Sequence, residues 1–299
     1  MTMSPPPILV FGATGSIGRR LVDLLRERGH AVRALARNPD RADLPEDVEV
    51  VRGDVLTGQG VEDALAGVRC AYYLVHSMGR GSGSADEFAD RDRQAAELVG
   101  SAAAAAGVER IVYLGGLEAE GADSEHLRSR REVAEILAGH VPGTVHARAA
   151  MVIGADSASF QMLEALVRRL PAMICPRWVD TRTQPIAMDD VVTALADLAD
   201  HPDPPGEVQL GGAEVITYLE MMERMAKALD RRPPVVVRVP VLTPRLSSYW
   251  VTLITPVELG LVQPLVDGLS AEMVVTTPPP EGINAHPMGF DDAVAAALA

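Results

Sequence analysis

Short apolar runs alternate with longer stretches of helical period through the first half of this 299-residue chain. ILVFGA (8–13), AVRALA (31–36), VEVVRGD (48–54), CAYYLVH (70–76), RIVYLGG (110–116) and TVHARAAMVIG (144–154) predict six strands. Between them, 17–28, 61–66, 85–106 and a segment starting at Ser124 carry helical spacing, with Gly29 and Gly107 placed to end two of those helices. The strand runs are apolar throughout instead of alternating, which fits strands buried on both faces. Strands separated by helices of this length predict βαβ units, hence a parallel sheet with right-handed crossovers. The expected fold is α/β, a doubly wound parallel sheet.

After Gly154 the pattern loosens. A helix is expected over 160–170, ending at Pro171, then QPIAMDD (184–190) as a strand entering a helix capped by Asp189 or Asp190. EVQLGG (207–212) reads as a strand, Thr217 as the cap of a helix over 218–229, and PVVVRVP (234–240) as a strand in a Pro-rich setting. The expected division is a nucleotide-binding domain over 1–155 and a smaller C-terminal substrate lobe over 156–299, with 184–212 returning to the sheet.

Charge narrows the partners. With 27 basic against 41 acidic residues the net charge is −14, a field that repels phosphate backbones and anionic membranes and argues against nucleic-acid binding. Cys70 and Cys175 form no motif, which excludes a disulfide scaffold and fits a reducing cytoplasm. MTMSPPP at the start lacks the basic and apolar regions of a signal peptide. The apolar stretch 249–266 is broken by Pro256, Glu258, Gly260 and Pro264, so no membrane span is expected. Core or lobe packing accounts for it; a dimer-facing segment, and with it a homodimer, is the alternative.

Candidate chemistry starts at GATGSIG (12–18), between the first strand and the first helix. Gly12 permits a tight turn, Gly15 lets backbone approach a diphosphate, and Gly18 lets helix and sheet pack closely. The amides around Thr14, Ser16 and Ile17, with the helix dipole, attract phosphate. At the end of the second strand, Ala36 and Arg37 stand where an NAD-binding fold keeps an acid for the ribose; the nearest acid, Asp40, lies beyond Pro39. Arg37 suits a 2′-phosphate, so NADP(H) is expected over NAD(H).

The G-x-x-G-x-x-G spacing, with Gly53–Asp54 after the third strand, resembles the short-chain dehydrogenase/reductase superfamily, and within it the atypical and extended members that include NmrA-like NAD(P)H-binding proteins. QPIAMDDVVTAL and LGGAEVITYLEMMERMA resemble the segments with which such proteins return to the sheet and begin the substrate lobe. The resemblance implies a Rossmann-type fold, adenine contacts from Asp54 and Val55, and a ribose lining from Val75, His76 and Ser77. A turn acid is the alternative role for Asp54. The resemblance also implies a serine at the end of the fifth strand, to position a carbonyl, and Tyr-x-x-x-Lys on the next helix. Here Gly115 and Gly116 end that strand, and SEHLRSR puts His126 and Arg130 at the tyrosine and lysine positions.

Arg130 can bind ribose hydroxyls but cannot shuttle a proton, whereas His126 exchanges protons near neutrality and suits a general base or a weak donor better than a strong acid. Both can equally be solvated residues on a helix face that also carries Arg128 and Arg131. HSMGRGSGSADE (76–87) has the composition of a lid or of a flexible connector. Arg148, Met151 and Val152 follow the sixth strand, where relatives flank the nicotinamide, with apolar core as the equal alternative for Met151 and Val152; Arg177, Trp178 and Arg182 form a basic, aromatic cluster fit for an anionic or planar substrate or for pairing with Asp180. Tyr72, Tyr73 and Tyr113 are expected to pack, EMMERMA (220–226) to be core, and no spacing suits a metal. The functional expectation is an NADPH-dependent reductase of a small organic carbonyl, imine or enone. A non-catalytic NAD(P)H sensor of NmrA type and a cofactor-assisted epimerase or isomerase are the alternatives.

Overall fold

The computed structural model describes residues 5–76, 85–117, 125–175, 177–238 and 271–299. Seven strands form one sheet: β1 (Ile8–Phe11), β2 (Val32–Ala36), β3 (Glu49–Arg52), β4 (Cys70–Tyr73), β5 (Arg110–Gly116), β6 (Val145–Ala149) and β11 (Glu207–Leu210). Their order is β3-β2-β1-β4-β5-β6-β11, and every pairing is parallel.

Alternate residues of the central strands β1, β4 and β5 bury on opposite faces, which is why these strands read as largely apolar runs. Ile8 and Val10 join Tyr72, Val112 and Ala147 under α1 (Ser16–Glu27) and α6 (Met188–Asp200). Leu9 and Phe11 join Tyr73, Ile111 and Tyr113 under α2 (Val61–Leu65), α3 (Ala85–Ala106) and α4 (Glu125–His140). α1 stops as expected, with Gly29 at φ 87° just past its end. The buried hydroxyl of Tyr72 donates to the Leu195 carbonyl of α6 at 2.6 Å. The Arg110 guanidinium caps the same helix, donating to the carbonyls of Leu198, Ala199 and His201.

The remaining elements gather in a second layer. α5 (Ala158–Arg169), α7 (Tyr218–Ala228) and α8 (Phe290–Leu298) share a third apolar cluster, in which Met221, Met222 and Met225 are buried as core. Three strand pairs serve this layer: β7 (Val152–Ile153) with β10 (Ile186–Ala187), β9 (Arg182–Thr183) with β12 (Ile216–Thr217), and β8 (Ala172–Cys175) with β13 (Val235–Arg238). Thr217 caps α7 through a reciprocal capping box with Glu220.

Two expectations are corrected. The run 144–154 is two strands, not one: the Ala150 N–H still bonds to Leu210, but Met151 accepts from Ile186, which draws β7 out of the main sheet. Asp189 and Asp190 lie inside the first turn of α6, whose N-cap is Ala187; Asp190 instead accepts the Met288 N–H at 2.7 Å. Among the described residues, no helix is long and apolar enough to cross a membrane.

Arg224 fastens α8 to α7. It donates twice to Glu214 (3.1 and 3.0 Å) and once to Asp291 (2.7 Å), with its guanidinium over the Phe290 ring. It holds the Glu214 and Asp291 carboxyls below their ordinary range. Groups held low stabilise above that range and lose the contribution as pH falls through it. Arg224→Leu is therefore expected to cost about 1–2 kcal/mol in urea unfolding at neutral pH, with the difference from wild type shrinking in acid.

Candidate functional site

The strand order reverses between β1 and β4, so the chains leaving their carboxyl ends diverge and open a crevice there. Gly12 follows β1 at φ 89°, and a Cβ on it would stand 3.0 Å from the Leu74 carbonyl oxygen. Gly15 is the N-cap of α1, with no side-chain cap and no acid in the first turn. The amides of Ser16 and Ile17 thus begin the helix at the crevice, beside exposed Thr14 and Gly15. Gly18 is fully committed to packing: a Cβ would lie 2.2 Å from the Gly12 carbonyl oxygen.

Two arginines brace this loop. Arg19 donates to the Thr14 carbonyl (3.3 Å) and to the Asp43 carboxylate (2.6 Å); Arg20 donates to the Ser16 carbonyl (2.9 Å) and to Asp156 (3.2 Å), reaching the segment that enters α5. Exposed Arg37 directly follows β2. Arg52 ends the neighbouring β3 and donates to the Arg37 carbonyl at 3.4 Å, so both guanidinium-bearing residues stand at the same corner. Sequence reading passed over Arg19, Arg20 and Arg52. The signals were present: an Arg-Arg pair directly after Gly18, and an arginine directly before Gly53–Asp54.

Asp54 is a turn acid here, accepting the Leu56 N–H at 2.9 Å while its own N–H bonds to Gln59. The Val55 side chain packs in the core under α2 and α3, as Val75 does in part. His76 is half-buried at the end of the strand segment, and Ser77 lies outside the described residues. So does most of the expected lid.

His126 and Arg130 both lie on α4, four residues apart and on one helix face. The His126 side chain is outside the described residues. Arg130 donates to the Leu114 carbonyl at 3.1 Å, which brings it to the end of β5. Gly115 and Gly116, which end that strand, carry no hydroxyl. A Cβ on Gly115 would fall 2.1 Å from Nε2 of His146, on the adjacent strand, and a Cβ on Gly116 would fall 2.9 Å from Leu127. His146 is buried, and that burial, with Arg148, Arg130 and Arg131 nearby, lowers its pKa to about 4.

Other expectations are placed as follows. Arg148 pairs with Glu207 at 2.6 Å across β6 and β11. Met151 packs in part against the α5–α7 cluster and Val152 against the main core. Arg182 pairs bidentately with Glu272, not with Asp180. The side chains of Arg177 and Trp178 fall outside the described residues. Tyr72, Tyr73 and Tyr113 are buried as packing residues. Among the described residues, no group of three His, Cys, Asp or Glu could hold a metal.

Known proteins agree with this geometry. Residues 12–156 match a family model described as NAD(P)H-binding. A (4-alkanoyl-5-oxo-2,5-dihydrofuran-3-yl)methyl phosphate reductase of Streptomyces griseus is 35% identical over 126 residues, 42% of this chain and 40% of that protein. Sterol demethylase protein B of Methylococcus capsulatus is 32% identical over 125 residues, 40% of this chain and 38% of that one. The matched stretch therefore spans about two fifths of those relatives' length.

Solved structures match almost end to end. Triphenylmethane reductase of Citrobacter sp., complexed with NADP(H), superposes with TM-score 0.75 at 19% identity, covering 98% of this chain and 100% of that one. An Escherichia coli NADPH-dependent quinone oxidoreductase complexed with NADPH gives 0.76 at 20%, with the same coverage. At such identities the likeness is one of fold. Residues 12–156 thus match an NAD(P)H-binding family model, and their glycine loop lies at the switch point of a Rossmann-like sheet.

Proposed function

We propose that the chain is an NADPH-dependent reductase of a small organic carbonyl, imine or enone. The observation that carries this reading is the meeting, at one crevice, of the α1 glycine loop with Arg37 and Arg52 at the ends of β2 and β3. A 2′-phosphate is a dianion suited to paired guanidinium groups. In a chain of net charge −14, these two guanidinium groups, one of them also paired with Asp40 at 3.7 Å, give an anionic cofactor a local attraction.

Backbone amides of Ser16 and Ile17 hold the diphosphate, and Arg130 donates to ribose hydroxyls. When bound, the reduced nicotinamide supplies a hydride. His126, on the Arg130 face of α4, delivers the accompanying proton to the reduced substrate, and the layer built on α5, α7 and α8 encloses that substrate. A second reading, a non-catalytic sensor of the cofactor, is favoured by one observation: neither Gly115 nor Gly116 offers a hydroxyl to a carbonyl.

Calorimetric titration tests the cofactor choice. NADPH is expected to bind more tightly than NADH, and Arg37→Ala or Arg52→Ala to weaken NADPH by about tenfold or more, as loss of a charge-assisted bond implies, with NADH unchanged. Equal affinities for the two cofactors in the wild type overturn the preference. Incubation with NADPH and a panel of carbonyls, imines and enones then separates the roles. Oxidation that His126→Ala suppresses, with cofactor binding intact, supports the enzyme; tight binding with no oxidation across the panel supports the sensor.

A further inference from the structure

Gly115 and His146 occupy each other's space. The β5–β6 register pairs Tyr113 with His146 and Gly115 with Arg148, so all four side-chain positions lie on the face that carries α4. The imidazole leans across this patch. Its ring centroid is 5.2 Å from that of Tyr113, and Nε2, Cδ2 and Cε1 lie 2.1, 2.9 and 3.3 Å from where a Gly115 Cβ would be. Any side chain at 115 would expel the ring. Nε2 is buried and has no hydrogen-bond partner among the described residues. A neutral ring with its lone pair against the Gly115 Cα–H fits this contact, because a weak Cα–H donor is what that position presents.

The strand end is held from its other sides as well. Leu127 of α4 closes on Gly116, Arg130 of the same helix grips the Leu114 carbonyl, and the Leu117 N–H bonds to Ala149. The last residues of β5 are therefore held both by the imidazole of His146 and by the first turns of α4. Leu127 and Arg130 lie three residues apart on the helix, so a shift of the strand end is passed to the guanidinium.

We propose that His146 is a positioning residue for Arg130: its imidazole, fitted into the side-chain space of Gly115, fixes the strand end against which Arg130 meets the nicotinamide-side ribose. The proposal rests on the reading of Arg130 given above. It makes His146 matter for one half of the cofactor only.

The probes are NADPH, followed by the emission of its dihydronicotinamide, and 2′,5′-ADP, which carries the adenosine phosphates without the nicotinamide ribose. His146→Ala is expected to weaken NADPH about fivefold, the scale of one misplaced hydrogen bond, and to leave 2′,5′-ADP unchanged. Adding Gly115→Ala to His146→Ala puts a methyl into the vacated space and is expected to restore NADPH binding. Gly115→Ala alone, which forces the ring aside, approaches the same point from the opposite direction and is expected to reproduce the selective loss.

Wild-type affinity for NADPH in both single variants, or parallel losses of NADPH and 2′,5′-ADP, overturns the proposal. Arg130→Ala separates it from the reading beneath it. A normal NADPH to 2′,5′-ADP ratio in that variant overturns the ribose role of Arg130. A raised ratio there, with normal ratios in the His146 and Gly115 variants, overturns His146 alone.

Discussion

Gly18→Val is expected to abolish measurable cofactor binding and to destabilise the fold by several kcal/mol. The reason is backbone against backbone. A Cβ at 18 would lie 2.2 Å from the Gly12 carbonyl oxygen and 2.8 Å from the Ala13 Cα, so no rotamer relieves the clash. Either α1 moves away from β1 or the loop between them opens. The first breaks the packing of Leu21, Val22 and Leu25 on the sheet, and overpacking of this kind costs about 1–3 kcal/mol or more. The second turns aside the amides of Ser16 and Ile17, to which the proposed function assigns the diphosphate. Calorimetry with NADPH and urea unfolding read the two consequences separately. Ordinary affinity in a stable Gly18→Val protein would remove the glycine loop from the site.

The second large effect concerns acid. Burial and three neighbouring arginines hold the His146 imidazole at a pKa of about 4, where a free histidine titrates near 6.5. Between those values the unfolded chain takes up a proton that the folded protein refuses, so stability falls as pH is lowered through that window. The difference is worth about 3 kcal/mol over the whole range, and about 2 kcal/mol between pH 6.5 and 5. Most of the carboxylate contributions, those of Glu214 and Asp291 beside Arg224 among them, persist through that window and are lost below it, which makes it the diagnostic one. Urea unfolding at several pH values should show a shallower decline in His146→Gln than in wild type. Identical slopes would mean that the imidazole is charged in the folded state.

The alternation of strands and helices was legible because the central parallel strands are short and mostly apolar, and helices announce themselves by period. The glycine loop was legible for a related reason: backbone closeness leaves no substitute for glycine. What escaped notice depends on partners distant in sequence. Ala149, Ala150 and Met151 continue the apolar run of β6 without a mark, yet the chain leaves the sheet there because Ile186 arrives to bond with Met151. Ala187 caps α6 with no side-chain hydrogen bond, so neither acid after it is the cap that the sequence suggests.

The site divides along the same line. Arg37 stands out in sequence because it replaces an expected acid. Arg52 gains meaning only when β3 is laid beside β2. His146 looks like one more strand residue until the β5–β6 register brings its ring over Gly115. The glycine itself was visible as an absence of hydroxyl, but the imidazole filling its space was not.

Strand β11 and helix α6 come from beyond residue 187, yet they complete the sheet edge beside β6 and cover the α1 face. Translation therefore delivers the nucleotide-binding half in an unfinished condition. A ribosome that has released only the first 156 residues has produced a sheet with β6 as an open edge and Leu21, Val22 and Leu25 lacking the α6 side chains that shield them. Excision at that boundary should give an aggregating fragment, and the nascent chain must wait for roughly fifty further residues, a few seconds of synthesis, before its first half can close.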